Sequence, residues 1–267
     1  MTRLDGHVSV ITGGNRGIGL GLAEGLVQAG ASVAVWARDE RRTAEACAHL
    51  EAQAAEAGAG GRVVGLRCDV SDEGQVAEAM AGTLAELGKV DSLFANAGVG
   101  GAASFVDMSL AEWRRVMAVN LDGAFLTLRE AARHLVDRGE GGALVAISSV
   151  SAIHGAPAME HYAASKTAVL ALVRGLAVEL ARHRVRCNAI LPGWTETEML
   201  EPGRSNERWV DATVRRTPVR RWGVPADFRS VAAYLADPSL ELPHRRLGGG
   251  RRRLHRVLIP SPAPTVG

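Results

Sequence analysis

Short apolar runs along this chain alternate with longer stretches in which apolar residues recur every three or four positions. Val8–Thr12, Ser32–Ala37, Val63–Cys68, Ser92–Ala95, Leu144–Ser148 and Val185–Leu191 are the short runs, and each predicts a strand. Leu20–Ala29, residues 40–57, Asp72–Leu87, Leu110–Val136, Ala158–His183 and residues 226–236 carry the longer period and predict helices. Gly30-Ala31 closes the first of these, Ser71 is read as the N-cap of the third, and the fourth is expected to break near Asn120. Strand–helix alternation of this kind predicts an α/β fold, a parallel sheet with right-handed crossovers and helices on both faces. No repeat or interior linker divides residues 1–240, so they are read as a single doubly wound domain.

Composition alters this picture little; charge alters it more. Of the 267 residues 47% are hydrophobic and 22% charged, enough to bury one large core. No apolar run approaches the roughly 20 residues that span a bilayer, and the opening MTRLDGHVSVITGG lacks the layout of a secretory leader. Cys47, Cys68 and Cys187, odd in number and far apart, suit reduced thiols in a cytoplasmic protein. The net charge of +2 is unevenly placed: residues 241–267 hold six Arg and one acid, a net of +5, which leaves −3 for the rest. A mildly acidic body argues against nucleic acid as a partner. Lysine is nearly absent, with only Lys89 and Lys166 against 29 Arg.

Thr12-Gly13-Gly14-Asn15-Arg16-Gly17-Ile18-Gly19 lies after the first predicted strand and opens the first helix. Glycine there permits a tight turn and close backbone approach to a pyrophosphate, and the helix N-terminus supplies N–H donors and positive potential. That is the phosphate loop of a Rossmann-type dinucleotide site, although its spacing is GxxxGxG rather than GxGxxG. The second strand ends at Arg38, where an acid would favour the ribose hydroxyls of NAD and an arginine a 2′-phosphate. Arg16 and Arg38 together suit a phosphate dianion, so NADP(H) is the expected cofactor. Asp39, next door, keeps NAD(H) open.

Tyr162-Ala163-Ala164-Ser165-Lys166 sets a phenol and an ammonium at i and i+4, on one helix face. A free tyrosine has a pKa near 10, and acid–base work near neutral pH wants it lower by about 2–3 pH units. A neighbouring lysine cation favours the phenolate and is expected to supply that change. Ser149, at the end of the fifth strand, is a hydrogen-bond donor for a reacting oxygen, with Ser148 and Ser151 as competitors. His154 and His161 flank the site without metal-ligand spacing, so no metal is expected.

TGGNRGIG, Asp69-Val70, Asn96-Ala97-Gly98, Asn120, Ser149, YAASK and Pro192-Gly193 with Thr197, in this order over about residues 5–237, resemble the short-chain dehydrogenase/reductase family. Within it the chain resembles the 3-oxoacyl-carrier-protein reductase and glucose-dehydrogenase type. The resemblance implies hydride transfer between a nicotinamide and a carbonyl or secondary alcohol, with a catalytic tetrad of Asn120, Ser149, Tyr162 and Lys166. Tyr162 would move the proton, Ser149 would steady the reacting oxygen, Lys166 would hold the nicotinamide ribose and lower the tyrosine pKa, and Asn120 would anchor a water. It implies cofactor contacts from Thr12, Gly13, Asn15, Arg16, Gly17, Ile18 and Gly19, from Arg38, and from Asp69 and Val70 at the adenine. Further contacts are implied from Asn96, Ala97 and Gly98 at the adenosine side, and from Pro192, Gly193, Thr195 and Thr197 at the nicotinamide. A homotetramer or homodimer through the helices of Asn120 and Tyr162 is implied as well. Residues 194–222 would form a substrate lid. Its Trp194, Trp209 and Trp222, with Met199 and Leu200, would wall the pocket or pack the lid against the body.

The family pattern continues into a seventh strand and an Asp-Gly-Gly turn, whereas here an Arg- and Pro-rich stretch follows Ser239. GC-rich codons for Leu242 to Ile259 read one base later as FHTGDSVVVDGGYTVF and a stop, the ending the family has. A frameshift near Glu241-Leu242 is therefore expected, with the last strand missing or altered. If that loss were disabling, the chain would be a cofactor-binding protein without turnover, the alternative to an active enzyme.

Overall fold

The computed structural model describes residues 3–240. Six strands form one wholly parallel sheet in the order β3-β2-β1-β4-β5-β6: β1 Val8–Thr12, β2 Ser32–Ala37, β3 Val63–Arg67, β4 Ser92–Ala95, β5 Gly142–Ile147 and β6 Val185–Ile190. The expected doubly wound Rossmann-type architecture is present. The expected loss of the seventh strand, the frameshift and the basic tail concern residues 241–267, outside the described residues.

Alternate residues of each strand point to opposite faces, and the register aligns them into two layers. Val10, Ala34, Trp36, Leu93, Leu144 and Ala146 face one core, which α3 (Glu73–Leu87), α5 (Gly123–Arg138) and α6 (Glu160–Glu179) cover. Ile11, Val33, Val35, Phe94, Val145 and Ile147 face the other, under α1 (Gly17–Gln28), α2 (Glu40–Glu56) and α9 (Arg229–Ala236). Burial on both faces is why these strands read as continuous apolar runs. At Gly25 a Cβ would lie 2.1 Å from the Arg229 carbonyl oxygen, so α1 and α9 pack backbone to backbone. Buried Glu24 fastens the same contact by accepting from Arg229 Nε at 2.7 Å.

Three local readings change. The N-cap of α3 is Asp72, whose carboxylate accepts from the Gln75 N–H at 3.1 Å. Ser71 instead donates to Asp69, because the chain makes a tight turn between them. The expected break near Asn120 is a π-helical turn, Ala118–Asp122, joining α4 (Leu110–Met117) to α5 without leaving the helical path. The segment 194–222, read only as a lid, carries a short 3₁₀ turn, Glu198–Leu200, then α7 (Glu201–Arg204) and α8 (Glu207–Arg216). Its tryptophans pack on one another, with Trp194–Trp209 and Trp209–Trp222 ring centroids 4.9 and 5.4 Å apart and both edge-on. Trp222 also donates to Thr213 Oγ1. Among the described residues no helix is long and apolar enough to cross a membrane.

Candidate active site

The carboxyl ends of β1 and β4 lie side by side where the strand order reverses, the position at which open parallel sheets leave a crevice. A cleft of about 940 Å³ opens there. Its floor is the phosphate loop. Gly13 and Gly17 have φ of +63° and +51°, in the left-handed region that favours glycine. A Cβ on Gly19 would stand 2.2 Å from the Gly13 carbonyl oxygen and 2.5 Å from Asn96 Nδ2, so the loop can fold this tightly only without one. No side chain caps α1, which leaves its first N–H groups without a side-chain partner at the cleft.

The end of β4 is tied to that loop. Thr12 Oγ1 accepts from the Asn96 and Ala97 N–H groups, and Asn96 Nδ2 donates to the carbonyls of Thr12 and Gly13. Thr12 is thus buried beneath the cleft rather than lining it. The Asn96 amide is engaged in holding the loop's shape.

At one end of the cleft Asp39 caps α2 by accepting from the Arg42 N–H, which turns its carboxylate toward the helix. Arg38, largely exposed, stands 3.7 Å from the Asp69 carboxylate. Asp69 itself sits below the usual carboxylate range: burial works the other way but is outweighed, chiefly by hydrogen bonds from Ser71. Val70 packs so closely on α5 that a Cβ on Gly123 would come within 2.6 Å of its Cγ2.

At the other end α6 delivers Tyr162 and Lys166. Lys166 is 4% exposed, and its Nζ donates to the Ile147 carbonyl at 2.8 Å while lying 5.7 Å from the Tyr162 ring centroid. Burial pulls its ammonium down from 10.5 to about 8. Burial also pushes the Tyr162 phenol up, opposed by a hydrogen bond from Ser149. The expected lowering of the phenol is not found, because desolvation outweighs every favourable partner of the phenolate. The three serines differ in their bonds. Ser148 donates to the Lys166 carbonyl at 2.8 Å, whereas Ser149 stands beside the phenol and accepts from the Ser151 N–H.

Asn120 lies in the π turn with its side chain buried, and does not line the cleft. Its amide bonds the Val99 N–H and carbonyl reciprocally and donates to Ser165 Oγ, so it pins the loop after β4 to α6. Asn15, Ile18, Ala97, Gly98, Pro192, Gly193, Thr195 and Thr197 line the cleft with the residues already described. Three charged residues on its wall escaped the sequence reading: Arg42, Glu198 and Arg115. Arg42 lies in the first turn of α2, close after the strand end at Arg38, a position that could have signalled it. Arg115 is held by Glu112, which also meets the buried His161 at 3.3 Å. The Glu112 carboxyl falls to about 2, chiefly through the Arg115 hydrogen bonds. Among the described residues no group of three or more His, Cys, Asp or Glu could hold a metal ion.

Comparison with known proteins bears on this arrangement. The family model described as enoyl-(acyl carrier protein) reductase matches residues 13–242. A crystal structure of a short-chain type dehydrogenase/reductase from Mycobacterium marinum superposes with a TM-score of 0.81 at 34% identity, covering 88% of this chain and 90% of that one. The chain belongs to the short-chain dehydrogenase/reductase family. It is 34% identical over 237 residues to L-rhamnose 1-dehydrogenase (NAD(P)(+)) of Sphingomonas sp. (strain SKA58), over 88% of this chain and 91% of that protein. A gluconate 5-dehydrogenase from Burkholderia cenocepacia J2315, solved with NADP and tartrate, matches with a TM-score of 0.82 and 34% identity, covering 88% of this chain and 90% of that one. This short-chain dehydrogenase/reductase is accordingly an oxidoreductase that works with a nicotinamide cofactor. These relatives leave the reading of a non-catalytic protein without support.

Proposed function

We propose that this oxidoreductase is an NADP(H)-preferring enzyme that interconverts a carbonyl and a secondary alcohol, with Tyr162 as the proton-transferring group. The observation that carries the reading is the single cleft in which the glycine loop, Arg16 and Arg38 lie at one end and Ser149, Tyr162 and Lys166 at the other. The cleft fits a dinucleotide: positive-φ glycines, uncapped N–H groups on α1 and paired arginines follow in the order that pyrophosphate and a phosphorylated ribose require. Commitment of the Asp39 carboxylate to the α2 cap favours NADP(H) over NAD(H), since it engages the one acid beside Arg38 that could take the ribose hydroxyls of NAD(H).

The bound nicotinamide would supply or accept the hydride. The chain's own residues manage the proton and the oxygen. Burial keeps the Tyr162 phenol protonated at neutral pH, which suits a donor to the oxygen of a carbonyl being reduced. Ser149, beside that phenol, presents a hydroxyl to the same oxygen as negative charge develops on it. Lys166 stabilises the tyrosinate left behind and is anchored for that task by Ile147. Asn120 positions Lys166 indirectly by holding α6 to the loop at Val99. In the reverse direction the same groups act in reverse order.

The excursion 194–222 acts as a lid over the substrate end, with Trp194, Met199 and Leu200 on the cleft wall. Phe125 on α5 and Val178 on α6 are 42% and 69% exposed, which supports a homodimer or homotetramer through these helices. A cytoplasmic setting suits the three free cysteines. The test is oxidation of NADPH and of NADH by the purified chain against ketones, quinones, β-ketoacyl thioesters and sugar lactones. Turnover with NADPH well above NADH is expected; turnover with NADH alone would overturn the cofactor assignment.

A further inference from the structure

Glu198, in the 3₁₀ turn that opens the lid, reaches across the mouth of the cleft to two arginines of the opposite wall. Arg16 Nη1 donates to its Oε2 at 2.6 Å, and Arg42 Nη1 donates to both carboxylate oxygens at 2.9 Å. Arg16 belongs to the glycine loop and Arg42 to the first turn of α2, so the carboxylate stands between the two elements that, in the NADP(H) reading, would flank the phosphorylated ribose. Arg38, the third arginine here, faces Asp69. Each arginine at this end is thus already matched by a carboxylate of the chain. Hydrogen bonds from Arg42 and Arg16 hold the Glu198 carboxyl below its usual range, so it is an anion at every physiological pH.

We infer that Glu198 occupies the position of the cofactor's 2′-phosphate as an internal competitor, and so sets how strongly the enzyme prefers NADP(H). The inference rests on the NADP(H) reading above. Three features carry it. The carboxylate and a phosphate monoester present the same chemistry to Arg16 and Arg42, planar or tetrahedral oxygens in a guanidinium fork. All three side chains are about half exposed, at 53%, 39% and 52% for Arg16, Arg42 and Glu198, so the pairs are weak enough for a dianion to displace. Glu198 also lies at the start of the lid, next to Met199, whose Sδ stands 3.3 Å from where a Gly100 Cβ would be. Release of Glu198 by a 2′-phosphate therefore frees the turn that carries Met199 and Leu200 on the cleft wall. A cofactor without that phosphate leaves the contact intact.

The competitor lowers the apparent affinity for any 2′-phosphorylated ligand by the fraction of molecules in which it is seated. Titration of the full chain by calorimetry with NADPH, NADH, 2′,5′-ADP and 5′-AMP, in wild type and Glu198→Gln, tests this. Glu198→Gln keeps the shape and removes the charge. It should tighten NADPH and 2′,5′-ADP by about tenfold while NADH and 5′-AMP stay within about twofold. Equal tightening of all four ligands, or none, with wild type preferring the 2′-phosphorylated pair, would overturn the inference and leave the NADP(H) reading standing. If neither protein distinguishes 2′,5′-ADP from 5′-AMP, the NADP(H) reading falls and this inference with it.

Discussion

Replacing Lys166 by methionine should abolish turnover and yet stabilise the cofactor-free protein. The ammonium is buried, with one hydrogen bond to Ile147 and no carboxylate against it, and burial brings it from 10.5 to about 8. At about 1.36 kcal/mol per pH unit, this fall is about 3 kcal/mol held against the folded state at neutral pH. Methionine fills much the same volume without a charge. Loss of the hydrogen bond to the Ile147 carbonyl takes back about 1 kcal/mol, leaving a net gain of about 2 kcal/mol. For a chain of this size that is a rise in Tm of about 4–8 °C. The pH dependence gives a second reading of the same quantity. Between pH 8 and 10.5 the unfolded chain binds more protons at this lysine than the native one, so the lysine's penalty on the wild type fades with pH and the advantage of Lys166→Met narrows. The Tyr162 phenol and the buried Cys68 and Cys187 thiols, the latter pushed up from 9.0 to about 12, act oppositely, the thiols from about pH 9. They do so in both proteins alike, so the lysine is read from the difference between them. Urea unfolding of both proteins at pH 7, 8, 9 and 10 measures all of this. A Lys166→Met variant less stable than wild type at pH 7, or a stability difference between the two proteins that does not narrow from pH 8 to 10, would refute the reasoning.

Other outcomes follow from the same physics. Buried His7 has its ring lowered to about 4, chiefly by desolvation, so it is neutral when folded and protonated when unfolded below pH 6.5. Wild type should therefore lose about 3 kcal/mol as pH falls from 6.5 to 4, and denaturant unfolding of His7→Gln should show a shallower loss over that window. Gly19→Ala places a Cβ against the Gly13 carbonyl and Asn96. Titration should show NADPH and NADH weakened alike by at least about tenfold, with about 1–3 kcal/mol lost from stability; selective loss of one nucleotide would contradict a role for the loop in the shared pyrophosphate. Ser149→Ala should lower kcat by about 10²-fold with NADPH affinity unchanged, read from steady-state kinetics beside equilibrium titration.

Much of the scaffold was legible in the residues. Val8–Thr12, Ser32–Ala37 and Ser92–Ala95 are strands with the predicted limits, because strands covered on both faces must be apolar throughout. The start of α1 was read three residues late: its first turn is the glycine loop, and glycine carries no helical period. Helix α8 was within reach of the same reading: Asn206 caps it, and Trp209, Val210, Thr213 and Val214 recur at helical spacing on its inner face. Four-residue α7 is too short to show a period, and the packing of Trp194, Trp209 and Trp222 is a tertiary contact. At the site, the four-residue spacing of Tyr162 and Lys166 and the end of β5 at Ile147 were enough to bring these residues and Ser149 together on one cleft. The sign of the Tyr162 displacement was not, since it depends on how deeply packing buries the phenol. Nor could spacing reveal that Glu198 lies against Arg16 and Arg42, as 182 and 156 residues separate them.

The central claim is that Tyr162 moves the proton in a cleft that binds the nicotinamide cofactor through other residues. Tyr162→Phe removes one oxygen and leaves the glycine loop, Arg16, Arg38 and Lys166 in place. Its NADPH affinity by titration and its NADPH-dependent reduction of the best carbonyl substrate should be measured on one preparation. The account predicts affinity within about twofold of wild type and kcat lowered by at least about 10²-fold, the scale of a general acid's contribution. Turnover that survives the change with NADPH still bound would contradict it.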